Sequence, residues 1–321
     1  MQSLPRREFL KHTTVAGAAL AAGSIFEGAS MAAEPTGLVG AKADRTAIDA
    51  HVHVWTPDTA AYSLAAGYRR EEMVPASFTP EQLFEQMHPC GVGRVVLVQM
   101  SFYGFDNSYM LDTMRRHPGV FSGIAVIDDV APRPQEEMRR LKSFGVRGFR
   151  IYPRNMPVDR WLDGPGLAEM WKCGALERQA MCCLVNPDAL PAIDRMCEKH
   201  PDTPVVIDHC GRVGISGEIL EEDLDQLCRL ARHKNTYVKV SAFYALGKKK
   251  PPYTDLAPMI RRLRDAFGAG RLMWATDCPY QVQGEHTYLA SIELVRSRLD
   301  FLSTEERAAL LHKTAERVFF S

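Results

Sequence analysis

The feature that most constrains the fold is a regular alternation of short apolar runs with amphipathic helical patterns after residue 45. Each run is continuous and rich in valine, isoleucine or leucine, which is typical of parallel strands buried on both faces. Eight such runs occur, at residues 46–54, 94–100, 121–127, 146–152, 181–186, 204–210, 236–243 and 271–277. Eight strands that each precede a helix predict an α/β fold, a single closed (β/α)8 TIM barrel.

An open, doubly wound sheet is the alternative arrangement of the same elements. It would require a glycine-rich phosphate-binding turn after the first strand. The first run instead ends in His51-Val52-His53, so the pattern favours the barrel.

The first 33 residues have the layout of an export signal. Arg6-Arg7 precedes a modestly apolar run at residues 13–26 and a small-residue stretch at residues 28–33. This layout is typical of a twin-arginine signal peptide, and the alternative is an amphipathic N-terminal helix. We predict a signal peptide at residues 1–33, a flexible linker at 34–45, the barrel at 46–321 and a periplasmic location.

The charge balance argues against a polyanionic partner. Basic and acidic residues number 39 each in the whole chain, and 36 and 37 once residues 1–33 are removed. Such a body offers no electrostatic basis for binding nucleic acid or an anionic membrane, so we expect a small-molecule substrate. No stretch after the signal predicts a membrane span. The eight cysteines are scattered without a C-x-x-C pair, which predicts free, buried thiols.

The first strand of the predicted barrel ends in two histidines. Catalytic side chains of such barrels lie at the carboxyl ends of the strands. Because side chains alternate along a strand, His51 and His53 should point to the same face. Two imidazoles there predict metal ligands or a polar clamp for the substrate. The alternative is a pair of histidines that only completes hydrogen bonds in the core.

Two further strands end in residues that suit acid–base chemistry. Asp277 ends the eighth run, where a buried carboxylate must be paired, hydrogen-bonded or functional. We predict that Asp277 is the general base that takes a proton from an attacking water. His209 ends the sixth run and is expected to polarise a carbonyl or to help hold a metal.

The remaining polar residues near strand ends are candidate substrate ligands. The arginines among them could bind a carboxylate through two parallel hydrogen bonds. The alternative is that they pair with acidic residues on neighbouring loops. His286, beyond the eighth strand, is a further candidate that has no motif around it. The predicted substrate ligands are Gln99, Arg150, Tyr152, Arg154, Arg212 and Ser241.

Four segments together carry a family resemblance. They are IDAHVH at residues 48–53, VVIDH at 205–209, YVKVS at 237–241 and RLMWATDCPY at 271–280. With the C-terminal helix they span nearly all of residues 46–320 in the same order. The chain thus resembles the branch of the amidohydrolase superfamily that includes 2-pyrone-4,6-dicarboxylate lactonase, related lactone hydrolases and a group of decarboxylases.

The resemblance implies a barrel hydrolase in which His51, His53, His209 and Asp277 carry the chemistry. Metal-dependent members have a further histidine at the end of the fifth strand, where this chain has Asn186. Two alternatives therefore stay open. One is a single Zn²⁺ or Mn²⁺ ion on His51, His53 and Asp277. The other is a metal-free site in which arginines hold an anionic substrate.

The predicted reaction is hydrolysis of a small, carboxylated lactone or similar cyclic ester by water, with Asp277 as the base. The alternative enzyme is a metal-dependent decarboxylase of a conjugated carboxylic acid. The alternative outside catalysis is a periplasmic barrel that only binds a ligand. Barrels of this type often pair, so a homodimer is compatible with the sequence.

Overall fold

The computed structural model describes residues 45–154 and 156–321. Within them, eight parallel strands follow one another around one sheet in chain order. The strands are β1 Ala47–Val52, β2 Val92–Val98, β3 Phe121–Ala125, β4 Val146–Ile151, β5 Ala180–Cys183, β6 Val205–Ile207, β7 Thr236–Val240 and β8 Leu272–Trp274. The predicted signal peptide, and all but the last residue of the predicted linker, lie outside the described residues.

Helices follow the strands, and most of them pack on the outside of the sheet. The first shows how the local sequence sets a boundary, because the hydroxyl of Thr79 accepts a hydrogen bond from the backbone N–H of Gln82 and Pro80 occupies the first turn. The helices are α1 Pro80–Met87, α2 Ser108–Arg116, α3 Pro134–Lys142, α4 Pro165–Glu177, α5 Leu190–Lys199, α6 Glu221–Arg229, α7 Ala257–Phe267, α8 Tyr288–Glu293, α9 Thr304–Ala308 and α10 Thr314–Phe319.

The barrel closes between β8 and β1 through the residues that follow β8. The backbone N–H of Asp277 donates to the carbonyl of His51 at 2.9 Å, and that of His53 donates to the carbonyl of Cys278 at 2.8 Å. These two bonds continue the parallel pattern of the sheet across the seam. Closure therefore places Asp277 directly beside the two histidines of β1.

A buried carboxylate on the outer face of β1 strengthens the same seam. Asp49 accepts hydrogen bonds from the backbone N–H of Thr276 at 3.0 Å and from the hydroxyl of Tyr288 at 2.7 Å. Tyr288 belongs to α8, so one carboxylate ties β1 to the segment after β8 and to the helix behind it. Burial raises the Asp49 pKa to about 6 in spite of these hydrogen bonds.

Side chains of the C-terminal helix pack into the amino-terminal end of the barrel interior. Ala315 and Phe319 of α10 join an apolar cluster with Ile48 of β1, Val96 of β2 and Met273 of β8. This cluster closes the amino-terminal end of the barrel, so the side chains at the carboxyl ends of the strands lie at the other end.

All eight predicted strands are confirmed, but each was predicted to extend one to three residues past its observed end. Most residues beyond the ends are buried like strand residues, although Tyr152 and Asn186 are only partly buried, and several leave the extended conformation. His209, Ala242 and Asp277 have φ angles of 54°, 57° and 73°. Burial therefore extends beyond the strand ends, although the backbone has already turned away from the strand direction.

Two other expectations concern membrane-spanning helices and the cysteines. No helix in the described part is long and apolar enough to cross a bilayer. The eight cysteines are free thiols, and all except the half-buried Cys228 are buried. The prediction of unpaired cysteines that pack as small apolar residues is therefore confirmed.

Candidate active site

His51 and His53 lie side by side at the carboxyl end of β1. The register between β1 and β2 shifts between Asp49 and Val52, a local irregularity that re-aims side chains. The two Nε2 atoms lie 3.3 Å apart, and His53 Nδ1 lies 2.7 Å from the carbonyl oxygen of Val98. Because a carbonyl only accepts, His53 carries its proton on Nδ1 and directs the lone pair of Nε2 into the barrel mouth.

Asp277 completes this group from the end of β8. Its Oδ1 lies 3.2 Å from His53 Nε2 and 3.4 Å from His51 Nε2, whereas Oδ2 lies 3.7 Å from His209 Nε2. The Asp277 backbone has a φ of 73°, which is costly for a residue with a side chain. Its backbone bond to β1 and its side-chain contacts hold it there. The four residues predicted to carry the chemistry thus meet in one place.

A left-handed turn presents His209. Residues 209–212, which follow Asp208, have φ angles of 54°, 51°, 60° and 57°. Only one of the four, Gly211, is a glycine, and each of the others costs about 1–2 kcal/mol in this conformation. His209 Nδ1 lies 2.9 Å from Ser241 Oγ, so Ser241 contacts the histidine that the turn presents.

The surroundings favour an ionised Asp277 beside neutral rings of His51 and His209. Burial alone would raise the Asp277 pKa, but the imidazoles of His209, His53 and His51 outweigh burial and lower it below the ordinary range. Burial lowers the His209 pKa to about 4. Burial and the charge of Lys239 lower the His51 pKa far below its ordinary value. At neutral pH the site therefore contains an ionised Asp277 beside uncharged His51 and His209.

A layer of three charged side chains lies beneath the histidines. Asp208 Oδ2 is 3.1 Å from Arg150 Nη2 and Asp208 Oδ1 is 3.0 Å from Lys239 Nζ, and all three side chains are fully buried. Burial favours the neutral acid, yet the two cations hold the Asp208 pKa well below its ordinary value. Arg150 Nη2 also donates to His51 Nε2 at 2.7 Å. Arg150, a predicted substrate ligand, thus contacts His51 and Asp208.

Arg154 lies at the rim rather than in the centre of the site. Its Nη1 is 3.1 Å from Asp129 Oδ1, and its guanidinium lies 5.2 Å and 5.8 Å from the ring centres of Phe105 and Tyr152. The pairing with an acidic residue of a neighbouring loop is the alternative that the sequence left open. Tyr152 and Arg154 are therefore neighbours in one aromatic and charged part of the rim.

Arg212 and Gln99 also contact neighbouring loops. Arg212 Nη1 donates to Asn186 Oδ1 at 3.2 Å, so the asparagine that replaces a histidine of metal-dependent relatives binds an arginine. Gln99 donates through Nε2 to the backbone carbonyl of Asp106. Both contacts organise the mouth of the barrel, and substrate binding by these residues stays a prediction.

Sequence reasoning missed two residues of the site. Lys239 stands inside the apolar run of β7, and a charged residue in a fully buried strand is a signal that could have revealed it. Tyr244 donates its hydroxyl to Asp277 Oδ2 at 2.7 Å. It follows β7 by several residues, and no motif around it indicates that the chain folds back onto Asp277.

Three donor atoms have the spacing and chemistry of a cation site. The Nε2 atoms of His51 and His53 and Oδ1 of Asp277 lie 3.2–3.4 Å from one another. Ligands placed 2.0–2.1 Å from a tetrahedral zinc ion are separated by about 3.3 Å, so these residues fit such an ion. Arg150 lies 2.7 Å from the same Nε2 of His51, and its guanidinium would have to give way.

The chain is similar to known proteins in sequence and in fold. The chain is 29% identical over 238 residues to the L-fucono-1,5-lactonase of Burkholderia ambifaria, covering 72% of this chain and 80% of that one. It is 29% identical over 277 residues to the 4-sulfomuconolactone hydrolase of Hydrogenophaga intermedia, covering 84% and 88%. The structure of a putative 2-pyrone-4,6-dicarboxylic acid hydrolase from Pseudomonas putida superposes with a TM-score of 0.72 at 26% identity, covering 86% and 98%.

The family assignment rests on most of the chain. The family model described as amidohydrolase matches residues 48–320, which include all of the barrel strands except the first residue of β1, and the four residues predicted to carry the chemistry. The expectation drawn from the sequence segments is confirmed: this chain belongs to the amidohydrolase family.

Proposed function

We propose that this protein hydrolyses a small lactone or similar cyclic ester, with Asp277 as the general base. The observation that carries the proposal is a buried carboxylate whose oxygens lie 3.2–3.7 Å from the Nε2 atoms of three histidines at the barrel mouth. The similarity to two proteins named as a lactonase and a lactone hydrolase supports this reaction class.

The positions of these residues indicate the order of the reaction steps. Asp277 Oδ1 removes one proton from a water, whose other hydrogen is hydrogen-bonded to His53 Nε2 and stays on the water oxygen, and the resulting hydroxide adds to the lactone carbonyl carbon. The Ser241 hydroxyl donates to the carbonyl oxygen of Lys239 at 3.3 Å, so His209 donates through Nδ1 to Ser241 Oγ and presents the lone pair of Nε2 to the site. The ring C–O bond then breaks, and the leaving alkoxide takes the proton from Asp277.

The mechanism also accommodates a cation on the three donors. A divalent ion bound to His51, His53 and Asp277 would lower the pKa of a bound water and polarise the carbonyl. Such an ion would take up Nε2 of His53 and Oδ1 of Asp277, the atoms that otherwise bind the water. In its absence these two atoms are available to the water, and Arg150 holds the His51 ring through Nε2.

The substrate is proposed to carry an anionic group. Arg154 and Arg212 both follow the carboxyl ends of strands, and the partly exposed Arg154 stacks near Tyr152. A guanidinium in such a place binds a carboxylate or sulfonate through parallel hydrogen bonds. Arg150 is less suited to this task because its side chain is fully buried against Asp208 and His51, whereas Arg154, which pairs with Asp129, is partly exposed.

The test compares Asp277→Asn with the native enzyme on a sugar lactone and on an anionic unsaturated lactone. Loss of a general base should lower kcat by about 10²–10⁴-fold. Asp163→Asn, which affects an exposed ion pair with Arg160, is the control and should keep full activity. Proton release in a pH-stat reports hydrolysis, whereas a decarboxylase would release CO₂ and a mere binding protein would show neither. Activity retained in Asp277→Asn would contradict the mechanism.

We also propose that residues 1–33 direct twin-arginine export to the periplasm, because Arg6-Arg7 precedes a modestly apolar run and a small-residue stretch. Replacing both arginines with lysine should trap the unprocessed chain in the cytoplasm. The measurement is the N-terminal mass of the protein in each cell fraction. Normal processing of the double-lysine variant would refute the proposal.

A further inference from the structure

Tyr244 connects the loop after β7 to the carboxylate at the end of β8. It lies in the single turn Phe243–Ala245, which the chain enters through Ala242 in a left-handed conformation with a φ of 57°. The side chain is buried, and its hydroxyl lies 2.7 Å from Asp277 Oδ2. A hydroxyl that donates to a carboxylate forms a short, charge-assisted hydrogen bond.

The loop after β8 holds the Tyr244 ring in place. The ring centre lies 6.4 Å from that of Tyr280 and 6.1 Å from that of His286. His286 Nδ1 lies 2.8 Å from the hydroxyl of Tyr253, and Gln281 Nε2 donates to the same hydroxyl at 2.8 Å. Tyr253 thus binds the two loops together. His286, the candidate without a motif, lies beside Tyr244 and not beside Asp277.

The two carboxylate oxygens of Asp277 have different partners. Oδ1 faces the Nε2 atoms of His51 and His53 at 3.4 and 3.2 Å, whereas Oδ2 accepts the hydroxyl of Tyr244. A carboxylate free to rotate about its Cβ–Cγ bond would present either oxygen to the water. A hydrogen bond to one oxygen selects a single orientation, which is the precise placement that general-base catalysis requires.

We propose that Tyr244 is a positioning residue that anchors Oδ2 of Asp277, so that Oδ1 alone receives the proton of the attacking water. The inference rests on the proposed function, because it assigns an orientation to the general base of that reaction. Tyr244 acts through Asp277 and forms no bond with the substrate. It therefore affects the chemical step and not substrate binding.

The test is a double-mutant cycle with Tyr244→Phe and Asp277→Asn, measured as kcat and KM for lactone hydrolysis. Tyr244→Phe keeps the ring and removes the hydroxyl, and we expect kcat to fall about 10- to 100-fold with KM unchanged within twofold. In the Asp277→Asn background the same change should have no further effect, because residues that act together are not additive.

A second tyrosine–aspartate bond provides the matched control. Tyr62 donates to Asp112 Oδ2 at 2.9 Å, and Asp112 lies on the outer helix α2. Tyr62→Phe should leave kcat and KM within twofold of the native values. This comparison separates loss of any tyrosine–aspartate hydrogen bond from loss of the one that orients Asp277.

Three outcomes would overturn the inference: an unchanged kcat in Tyr244→Phe, an increase confined to KM, or an equal loss of kcat in the Asp277→Asn background. The second outcome would make Tyr244 a substrate ligand, and the third would show a role independent of Asp277. Failure of the proposed function appears differently, because Asp277→Asn alone would then leave kcat unchanged.

Discussion

The buried charges beneath the histidines allow a quantitative test of how strongly unpaired charge in the barrel interior destabilises the protein. Asp208 lies between Arg150 at 3.1 Å and Lys239 at 3.0 Å, and none of the three side chains has any exposed surface. Asp208→Asn preserves the shape of the side chain and removes its charge. The variant leaves two buried cations with no carboxylate between them.

The expected cost follows from this arrangement. Removing one partner of a buried ion pair destabilises a protein by about 3–5 kcal/mol, because the other charge stays desolvated and unpaired. Here two cations lose the same partner and also repel each other, so Asp208→Asn should cost at least about 4 kcal/mol. Lys239→Met removes one cation and leaves the pair of Asp208 with Arg150, so it should cost about 1–2 kcal/mol.

The assay is reversible unfolding in urea, with the free energy of unfolding compared among the single and double variants. Lys239→Met in the Asp208→Asn background should recover part of the loss, because it removes one of the two uncompensated charges. Asp163→Asn, at an exposed ion pair with Arg160, should cost less than about 1 kcal/mol. A cost of less than 1 kcal/mol for Asp208→Asn, or no recovery in the double variant, would refute the charge argument.

Three further predictions concern the cation site, the barrel floor and a helix end. Arg150→Met should tighten Zn²⁺ binding at least about tenfold in calorimetric titration, because the guanidinium no longer competes for His51 Nε2. Arg154→Met is its control, and equal affinities would rule out the competition. Phe319→Ala should lower the free energy of unfolding by about 3–5 kcal/mol, and a cost below about 1 kcal/mol would mean that the floor repacks. Arg178→Gly should raise the free energy of unfolding by about 0.5–1 kcal/mol, because Arg178 follows the last residue of α4 with a φ of 55°, a conformation that glycine adopts without strain. An equal gain for Arg178→Ala would contradict this reason.

The number and type of elements were predictable because buried parallel strands leave a local signal. Each run is apolar on both faces, and capping residues such as Thr79 mark a helix start within four residues. The strand ends were not predictable to the residue. Residues such as Ala242 stay buried after the backbone has turned, and burial alone does not distinguish a strand from a turn.

The meeting of His51, His53, His209 and Asp277 could be predicted because all four follow strands whose carboxyl ends meet in a barrel. The contacts within the group could not. The orientation of the Asp277 carboxylate depends on Tyr244, and the contact of Arg150 with His51 depends on Asp208. These partners lie 33 to 99 residues apart along the chain, where no local pattern relates them.

The sequence by itself determined the barrel and the positions along the chain from which the histidines and Asp277 enter its mouth, since both follow from hydrophobic periodicity and strand ends. Only the tertiary structure decided which charges are buried together, as in the layer of Arg150, Asp208 and Lys239. The physical reason is that burial and pairing depend on side chains from different strands approaching within about 3–4 Å. Those distances exist only after the sheet has closed.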